Sequence, residues 1–287
     1  TIWVKSGTYA TATALNLPTG SGNVTVCAGY TTVRGDEGQP TLQASANINV
    51  INQTNRYAAW MNFIVDANSQ GGKCYNSTVQ NTLLSNCKGI GAATNTFVTS
   101  SATQFERCWA TAPEAATTTT GFFLSADGGM CIDCVAQGMS SHGFAVDGFS
   151  VVLIRCLSYN ATGSGDGFNA VQSASVLDCV SYQNAGDGFE LTGASLSHVI
   201  RNCVAVNNSG YGFTGVSMTT GIKSPVINYT ATFLNTSGAY NNLGGTPTNA
   251  VTLTGDPFTN AAGGDFSPNN TAGAGASLRA AGYPGTF

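Results

Sequence analysis

The sequence predicts an all-β protein built as a single-stranded parallel β-helix, a solenoid with about 22–24 residues per coil. Gly-Phe pairs recur at intervals of 21 to 24 residues, beginning at Gly121, Gly143, Gly167, Gly188 and Gly212. Cysteines recur in step with them, at Cys87, Cys108, Cys134, Cys156, Cys179 and Cys203. Two residue types that repeat in register at one period indicate one structural unit repeated. Helical periodicity of comparable length is missing from the sequence.

The composition indicates a continuous core beneath an uncharged polar surface. Hydrophobic residues make up 42% of the 287 residues and charged residues 8%, against about 25% charged in typical domains. The ten Lys and Arg form no basic patch in the sequence, so nucleic-acid binding is not expected. Apolar runs fall short of the roughly 18 residues of a membrane helix. A Thr-, Asn- and Gly-rich surface is typical of extracellular, cell-surface or virion-surface proteins.

A single domain is predicted over residues 1–287. It divides into N-terminal coils over 1–78, regular Cys/Gly-Phe coils over 79–235, and a C-terminal coil with a closing segment over 236–287. We expect roughly ten to twelve coils, about 50–60 Å long at one strand spacing per coil.

The cysteine series defines the predicted strands, which include 130–136, 152–158 and 175–181. Period-2 alternation places Ile132, Ile154 and Leu177 inside with the ladder cysteines. A second strand then opens with Gly-Phe, so the phenylalanines should stack in a column. We expect the ladder cysteines to be buried thiols, and pairing among Cys27, Cys74 and Cys131 stays open. With two histidines and no paired Cys-x-x-Cys motifs, a metal site is not predicted.

Segments near both ends resemble a known group. Thr1–Tyr9 is similar to the opening strand of the pectate-lyase-like superfamily of right-handed parallel β-helices, and 23–27, 32–35 and 61–66 resemble its first coils. Gly255–Phe258 with Gly264–Ser267 is similar to a closing segment of that group. The resemblance covers nearly the whole chain and implies the handedness. It does not imply one activity, because the group contains lyases, hydrolases, phage tailspikes and adhesins.

Carboxylates near the Gly-Phe turns are the candidate catalytic residues. Polysaccharide cleavage on a β-helix uses two or three carboxylates as acid, base or nucleophile, or as calcium ligands beside a basic residue. The best cluster in the sequence is Asp147, Asp166, Asp187 and Glu190, with His142 at an equivalent corner. Asp166 and Asp187 should stack one coil apart, where calcium is the one cofactor they would suit. A turn role for Asp-Gly is the competing interpretation, and the catalytic signatures of polygalacturonases and pectate lyases are missing.

Charged residues precede the ladder cysteines with alternating sign, at Arg107, Asp133, Arg155 and Asp178. They predict a ladder of salt bridges on the outer surface. Arg201 would continue it only with a bulge, since it lies two residues before Cys203.

An outward apolar stripe is predicted beside the cysteines, because alternation turns these residues away from the core. Such a stripe is unusual on a soluble monomer. Either the segment after Thr246 folds over it, or another chain packs against it; two of its tyrosines could instead stack on carbohydrate. We take as candidate interface residues Trp109, Val135, Leu157, Val180, Val204, Tyr159 and Tyr182.

Two functional hypotheses follow. The leading one is an extracellular structural or adhesive protein that self-associates, end to end into filaments, with glycan contact. It depends on the outward stripe and on ends without a capping helix, since 272–287 shows no helical periodicity. The alternative is a tailspike-like polysaccharide lyase or glycoside hydrolase that uses the carboxylates.

Overall fold

The computed structural model describes residues 1–18, 24–70, 72–112, 119–192, 197–216 and 225–281. The chain forms a β-solenoid in which successive coils add strands to three parallel sheets. The predicted all-β parallel β-helix is therefore confirmed. The described residues contain 10, 11 and 9 strands in the three sheets, or roughly 45 Å of stacked strands, so the upper estimate of twelve coils was too high.

The strands are numbered β1 to β32 in chain order. Sheet 1 contains, in spatial order, β1 (Ile2–Lys5), β3 (Thr25–Tyr30), β6 (Ala58–Met61), β9 (Thr82–Ser85), β12 (Thr103–Glu106), β15 (Met130–Ile132), β18 (Val151–Ile154), β21 (Ala174–Leu177), β24 (Val199–Arg201) and β27 (Val226–Asn228). Sheet 2 contains β2 (Thr8–Thr11), β4 (Thr41–Ala44), β7 (Ile64–Asp66), β10 (Lys88–Ile90), β13 (Trp109–Thr111), β16 (Val135–Gln137), β19 (Leu157–Tyr159), β22 (Val180–Tyr182), β25 (Val204–Val206), β28 (Ala231–Phe233) and β30 (Val251–Thr252).

The central strands of sheet 3 begin at or next to the Gly-Phe pairs. It contains β5 (Ile51–Gln53), β8 (Tyr75–Ser77), β11 (Asn95–Thr99), β14 (Thr120–Leu124), β17 (Phe144–Val146), β20 (Phe168–Ala170), β23 (Phe189–Thr192), β26 (Tyr211–Val216) and β29 (Gly238–Asn241). Two further strands, β31 (Phe258–Asn260) and β32 (Asp265–Pro268), pair antiparallel around a 3₁₀ turn at Ala261–Gly263, and helix α1 covers Gly275–Ala280. In the described part of the chain no helix is long and apolar enough to span a membrane.

Stacked phenylalanines form the centre of the core. Phe122, Phe144, Phe168, Phe189 and Phe213 lie with ring centroids 4.7–4.9 Å apart and nearly parallel planes. The preceding glycine is required by close packing, because a Cβ at Gly167 would lie 2.2 Å from Ser181 Oγ and 2.7 Å from the Gly188 carbonyl. In each Gly-Phe pair, the phenylalanine thus forms the aromatic column and the glycine permits the tight corner before it.

All nine cysteines are buried free thiols. The ladder cysteines lie at the starts of the sheet 2 strands and face the core with less than 3% exposure each. The open question of pairing among Cys27, Cys74 and Cys131 is settled against disulfides.

The corner before each ladder cysteine corrects the predicted strands. Asp133, Arg155 and Asp178 have positive φ angles of 54°, 49° and 57°. This left-handed residue separates the strand of sheet 1 from that of sheet 2 and breaks the period-2 alternation. Consequently Cys131, Leu153 and Val176 are buried, while the predicted core residues Ile132, Ile154 and Leu177 are only partly buried.

The charge ladder forms only in part. Arg155 binds Asp133 with two hydrogen bonds, Nε–Oδ1 at 2.6 Å and Nη2–Oδ2 at 2.9 Å. Asp178 instead accepts a 2.7 Å hydrogen bond from Asn202 Nδ2. Asn202 occupies the corner with φ 58°, and Arg201 pairs in register with Leu177. Without the bulge that it would need, Arg201 does not continue the charge series.

The C-terminal segment covers most of the outward stripe. Leu157, Val180 and Val204, with Tyr159 and Tyr182, form a second core with residues of the closing segment: Leu253, Phe258, Ala261, Phe266 and Leu278. Tyr159 and Tyr182 are 7% and 5% exposed, and both rings contact Phe266. The first of the two alternatives for the stripe is thus correct. The interface prediction fails for these five residues, and the sugar-stacking prediction for the two tyrosines, because their own chain buries them.

Two other expectations about the outer surface also change. A short helix, α1, lies within 272–287, where none was expected, and its Leu278 packs in the second core. Val135 is partly buried against that core. Trp109 alone among the stripe residues stays exposed, at 39%.

Candidate functional site

His142, Asp166 and Asp187 lie in one column at the corner that opens sheet 3. Each directly precedes the glycine of a Gly-Phe pair. Backbone hydrogen bonds align them coil by coil, with Gly143 N donating to Asp166 O at 3.0 Å and Gly167 N to Asp187 O at 2.9 Å. The predicted stacking of the two aspartates is thus present in the structure.

Both aspartates support the backbone of the next coil. Asp166 Oδ1 accepts a 2.7 Å hydrogen bond from the Asp187 amide, and Asp187 Oδ1 accepts a 2.5 Å bond from the Tyr211 amide. Glycines make room for these carboxylates: a Cβ at Gly186 would lie 2.4 Å from Asp166 Oδ1, and one at Gly210 would lie 2.0 Å from Asp187 Oδ1. The turn role is therefore real, and these contacts use one oxygen of each carboxylate.

Further contacts join Glu190 to the two aspartates. Asp166 Oδ2 lies 3.2 Å from His142 Nδ1. Asn169 Nδ2 donates to Asp166 Oδ2 at 3.3 Å and to Glu190 Oε1 at 2.9 Å. Asp166, Asp187 and Glu190 each offer an oxygen within 4.8 Å of the others, and we call these three residues the acidic patch.

Burial and crowding raise the pKa of two carboxyls in the acidic patch. For Asp187 burial is the main cause, the Asp166 charge adds to it, and the hydrogen bond from Tyr211 opposes it. For Glu190 burial again comes first, followed by the charges of Asp166 and Asp187, while Asn169 and His142 act in the opposite direction. A raised pKa favours the protonated acid, so both groups are suited to hold and transfer a proton.

The oxygen-only donor set also suits a hard cation such as calcium, which takes six to eight oxygen ligands. Two of the carboxylate oxygens already accept backbone amides, which leaves fewer for a metal. Among the described residues, no Lys or Arg forms an ion pair with these carboxylates. Within the described ranges, the basic residue expected beside a calcium-dependent site is therefore not paired with the acidic patch.

The structure separates Asp147 from the other candidates. Asp147 is exposed and follows the last residue of β17, whereas His142 precedes the first. The sequence reasoning missed Asn169, which holds Asp166 and Glu190 together. Its signal was its spacing, since Asn169 and Glu190 both follow the Gly-Phe phenylalanine and pair in register.

Comparison with solved structures identifies the fold. The chain is similar to pectate lyase Pel9A, with a TM-score of 0.60 and 14% identity over 80% of this chain and 70% of that one. It is also similar to ORF18 of Geobacillus virus E2 (TM-score 0.60, 11% identity, covering 87% and 52%) and to the N-terminal fragment of bacteriophage Phi29 gene product 12 (0.56, 11%, 88% and 61%). The chain thus spans less than two thirds of either phage protein structure.

The protein therefore has the fold of the pectate-lyase-like parallel β-helices. No family model matches the sequence, and no curated protein matches it. At 11–14% identity the likeness concerns the fold, and function has to be argued from the site.

Proposed function

We propose that the protein binds a polysaccharide across the outer face of sheet 3 and cleaves its glycosidic bonds at the acidic patch. The observation that carries the proposal is the close pair Asp187 and Glu190: burial and two neighbouring charges raise the pKa of Glu190, whereas the hydrogen bond from the Tyr211 amide favours the ionised form of Asp187 and opposes the rise that burial causes in its pKa. Glycosidic cleavage needs one carboxyl as proton donor and a second carboxylate opposite it.

Glu190 is the proposed general acid, because three causes raise its pKa and two of them are charges in the acidic patch. Asp187 is the proposed second carboxylate, held in place by the Tyr211 amide. Their oxygens lie within 4.8 Å, nearer to the roughly 5–5.5 Å of retaining enzymes than to the 6.5–9.5 Å that admits a water. Hydrolysis with retained anomeric configuration is the expected outcome.

The surroundings of the acidic patch also suit a sugar chain. Phe123 projects outward from β14, in the same register as Asn169 and Glu190, and is half-buried. Tyr211, also half-buried, adjoins Asp187 on the other side. Aromatic rings on either side of the half-buried Asp187 and Glu190 would stack on sugar rings and place a glycosidic bond between them.

Similarity to a pectate lyase and to two phage proteins supports carbohydrate contact at an extracellular or virion surface. The proposal uses acid–base chemistry without a cofactor. Calcium binding by the acidic patch is its chemical rival, and the test includes it.

The test is a screen of acidic and neutral polysaccharides for new reducing ends and for unsaturated products. Glu190→Gln and Asp187→Asn should each lower the rate at least about a hundredfold, as expected for loss of a general acid or base. Asp147→Asn is the matched control, because it removes one carboxylate from the same sheet outside the acidic patch. Equal loss in the control, or absence of any product with the wild type, would refute the proposal. Activity abolished by a chelator and restored by calcium would assign the patch to the metal.

Self-association is a second candidate, favoured by one observation. The coil that includes β27 and β28 exposes Val226 at 56%, Tyr229 at 41% and Leu234 at 73%. Val226 lies on β27, the last strand of sheet 1, and exposed apolar residues at such an edge would support the structural or adhesive function through end-to-end stacking. Sedimentation over a range of concentrations, with Val226→Lys as the disrupting variant, tests it; a monomer at all concentrations would exclude it.

A further inference from the structure

A small cavity lies on the corner between sheets 1 and 2, at the end of the outward stripe where Trp109 stays exposed. Its volume is about 230 Å³, and it is lined by Gln39, Asn86, Cys87, Lys88, Arg107 and Trp109. We call it the basic corner pocket. Its lining contains two cations and two amides but no carboxylate. The expectation that the Lys and Arg residues form no basic patch is therefore corrected at this place.

The positive charges of this pocket are not neutralised within the described residues. Asp133, the neighbour predicted for Arg107, is bound by both Nε and Nη2 of Arg155. The Arg107 guanidinium has only a 3.4 Å contact to Ser85 Oγ. Lys88 Nζ lies over the Trp109 ring at 5.6 Å from its centroid. The ion pairs of the described chain include neither residue.

Arg107 also has an unfavourable backbone conformation. Its φ is 50°, in the left-handed region, where the same corner of other coils has Asn62, Asn86 and Asn202. Asparagine tolerates this conformation, whereas a long side chain pays a steric penalty there. Arg155 has a similar φ of 49° but gains its ion pair. Arg107 has the same penalty without a carboxylate partner, and because the residue is exposed, its guanidinium is accessible to an anionic ligand that would supply the missing partner.

We propose that the basic corner pocket binds the oxyanion groups of a polyanionic glycan, carboxylate or sulfate. The planar Arg107 guanidinium supplies two parallel hydrogen bonds to such a group, and Lys88 adds a point charge. Gln39 Nε2 already donates to Asn86 O and Asn86 Nδ2 to Asn62 Oδ1, so it is the amide oxygens of these residues that suit sugar hydroxyls. Trp109, which is 39% exposed, offers an apolar edge to the sugar ring. This inference goes beyond the proposed function and does not rest on it, because the pocket belongs to different sheets.

The experiment measures retention on, and titration with, four probes: polygalacturonate, dextran sulfate, neutral dextran and inorganic sulfate. The wild type should bind the two charged polymers with an affinity that falls as salt rises, and should ignore neutral dextran. Preference between the charged polymers identifies carboxylate or sulfate as the group bound. In Lys88→Gln/Arg107→Asn the affinity should fall about tenfold or more for each cation removed.

The control is Arg34→Gln/Arg56→Gln, which removes two exposed cations elsewhere and matches the change in net charge. It should bind as the wild type does. Asparagine suits the Arg107 corner, so Lys88→Gln/Arg107→Asn should unfold at or above the wild-type temperature; circular dichroism checks this. Lys88→Gln alone, with the Arg107 backbone untouched, should still lose affinity.

Four outcomes would overturn the proposal: no binding of either charged polymer, wild-type binding by the double variant, equal loss in the control, or inorganic sulfate binding as tightly as the polymers. Equal competition by a DNA duplex would assign the pocket to nucleic acid instead. The catalytic proposal is tested by product release in Glu190→Gln and Asp187→Asn, and the pocket by binding in Lys88→Gln/Arg107→Asn, so the two proposals can fail separately.

Discussion

Asp187 and Glu190 are individual residues that reduce stability at neutral pH. Their folded-state pKa values are raised, which means that the folded protein binds these two protons more tightly than the unfolded chain does. The stability that this gives is fully present below the unfolded pKa. It is lost as the pH rises through the folded pKa. Structural carboxylates usually show the opposite sign, as Asp265 does, where hydrogen bonds from Ser267 lower the pKa. Residues that reduce stability in this way are typical of functional sites.

Glu190→Gln should therefore raise the melting temperature at pH 7. The amide keeps the hydrogen bond from Asn169 and removes one of three crowded charges. The difference from the wild type should shrink as the pH falls through the raised pKa, because the wild-type acid then becomes neutral as well. Thermal unfolding of both proteins at pH 7 and pH 4 measures this. A difference that is independent of pH would mean that the Glu190 charge is not destabilising.

The aromatic column sets stability at the scale of the coil. Phe168 lies between Phe144 and Phe189, with centroids 4.9 Å and 4.7 Å away, and is 2% exposed. Each coil therefore interacts with the coils above and below it through one ring. Solenoid stability is approximately a sum of such nearest-neighbour terms.

Phe168→Ala should reduce the free energy of unfolding by about 3–5 kcal/mol, because it removes the stack on both sides and leaves a cavity. Phe168→Leu, which fills most of the volume, should cost clearly less. Urea unfolding followed by far-UV circular dichroism provides the comparison. Equal effects of the two substitutions would show that the column contributes no more than any other core position.

Much at the element scale was predictable from the sequence, and the failures have one physical cause. The Gly-Phe and cysteine spacings determine coil length, the aromatic column and the stacking of Asp166 on Asp187. Ile132 was misplaced because alternation was counted through Asp133, whose left-handed φ changes the face of every later residue. Non-glycine residues in this conformation leave no clear mark in one sequence, since Arg107 and Arg155 adopt it as well as Asn202.

At the scale of the whole molecule, the closing segment acts as a strap along sheet 2. It is held by Phe258, Phe266 and Leu278 on the second core and by a 3.2 Å hydrogen bond from Tyr182 to Asp256. The sequence analysis named this contact as one of two alternatives but could not choose between it and packing against another chain, because a contact between parts distant in the chain has no local signature. Asp147 was misassigned for a related reason, since it lies near Glu190 in the repeat but at the other end of the strand.

Phe266→Ala should loosen the strap without unfolding the solenoid. The ring contacts Tyr159, Tyr182 and Phe258, so its loss should cost about 3–5 kcal/mol of local stability. The variant should bind a hydrophobic dye and be cut by protease between 246 and 281, while residues 1–245 stay protected. Protease resistance equal to the wild type would show that the strap does not depend on this ring.

The strap also affects how the protein is made. A ribosome completes β19, β22 and β25 well before Phe258 and Phe266 emerge. Because synthesis proceeds at roughly 5–20 residues per second, the apolar side of those strands stays exposed to solvent for several seconds. During that interval the nascent chain exposes an apolar surface that can associate with other nascent chains and that is buried in the finished protein. Slow translation after Val206 should therefore lower the yield, and a chaperone that holds apolar surface should restore it.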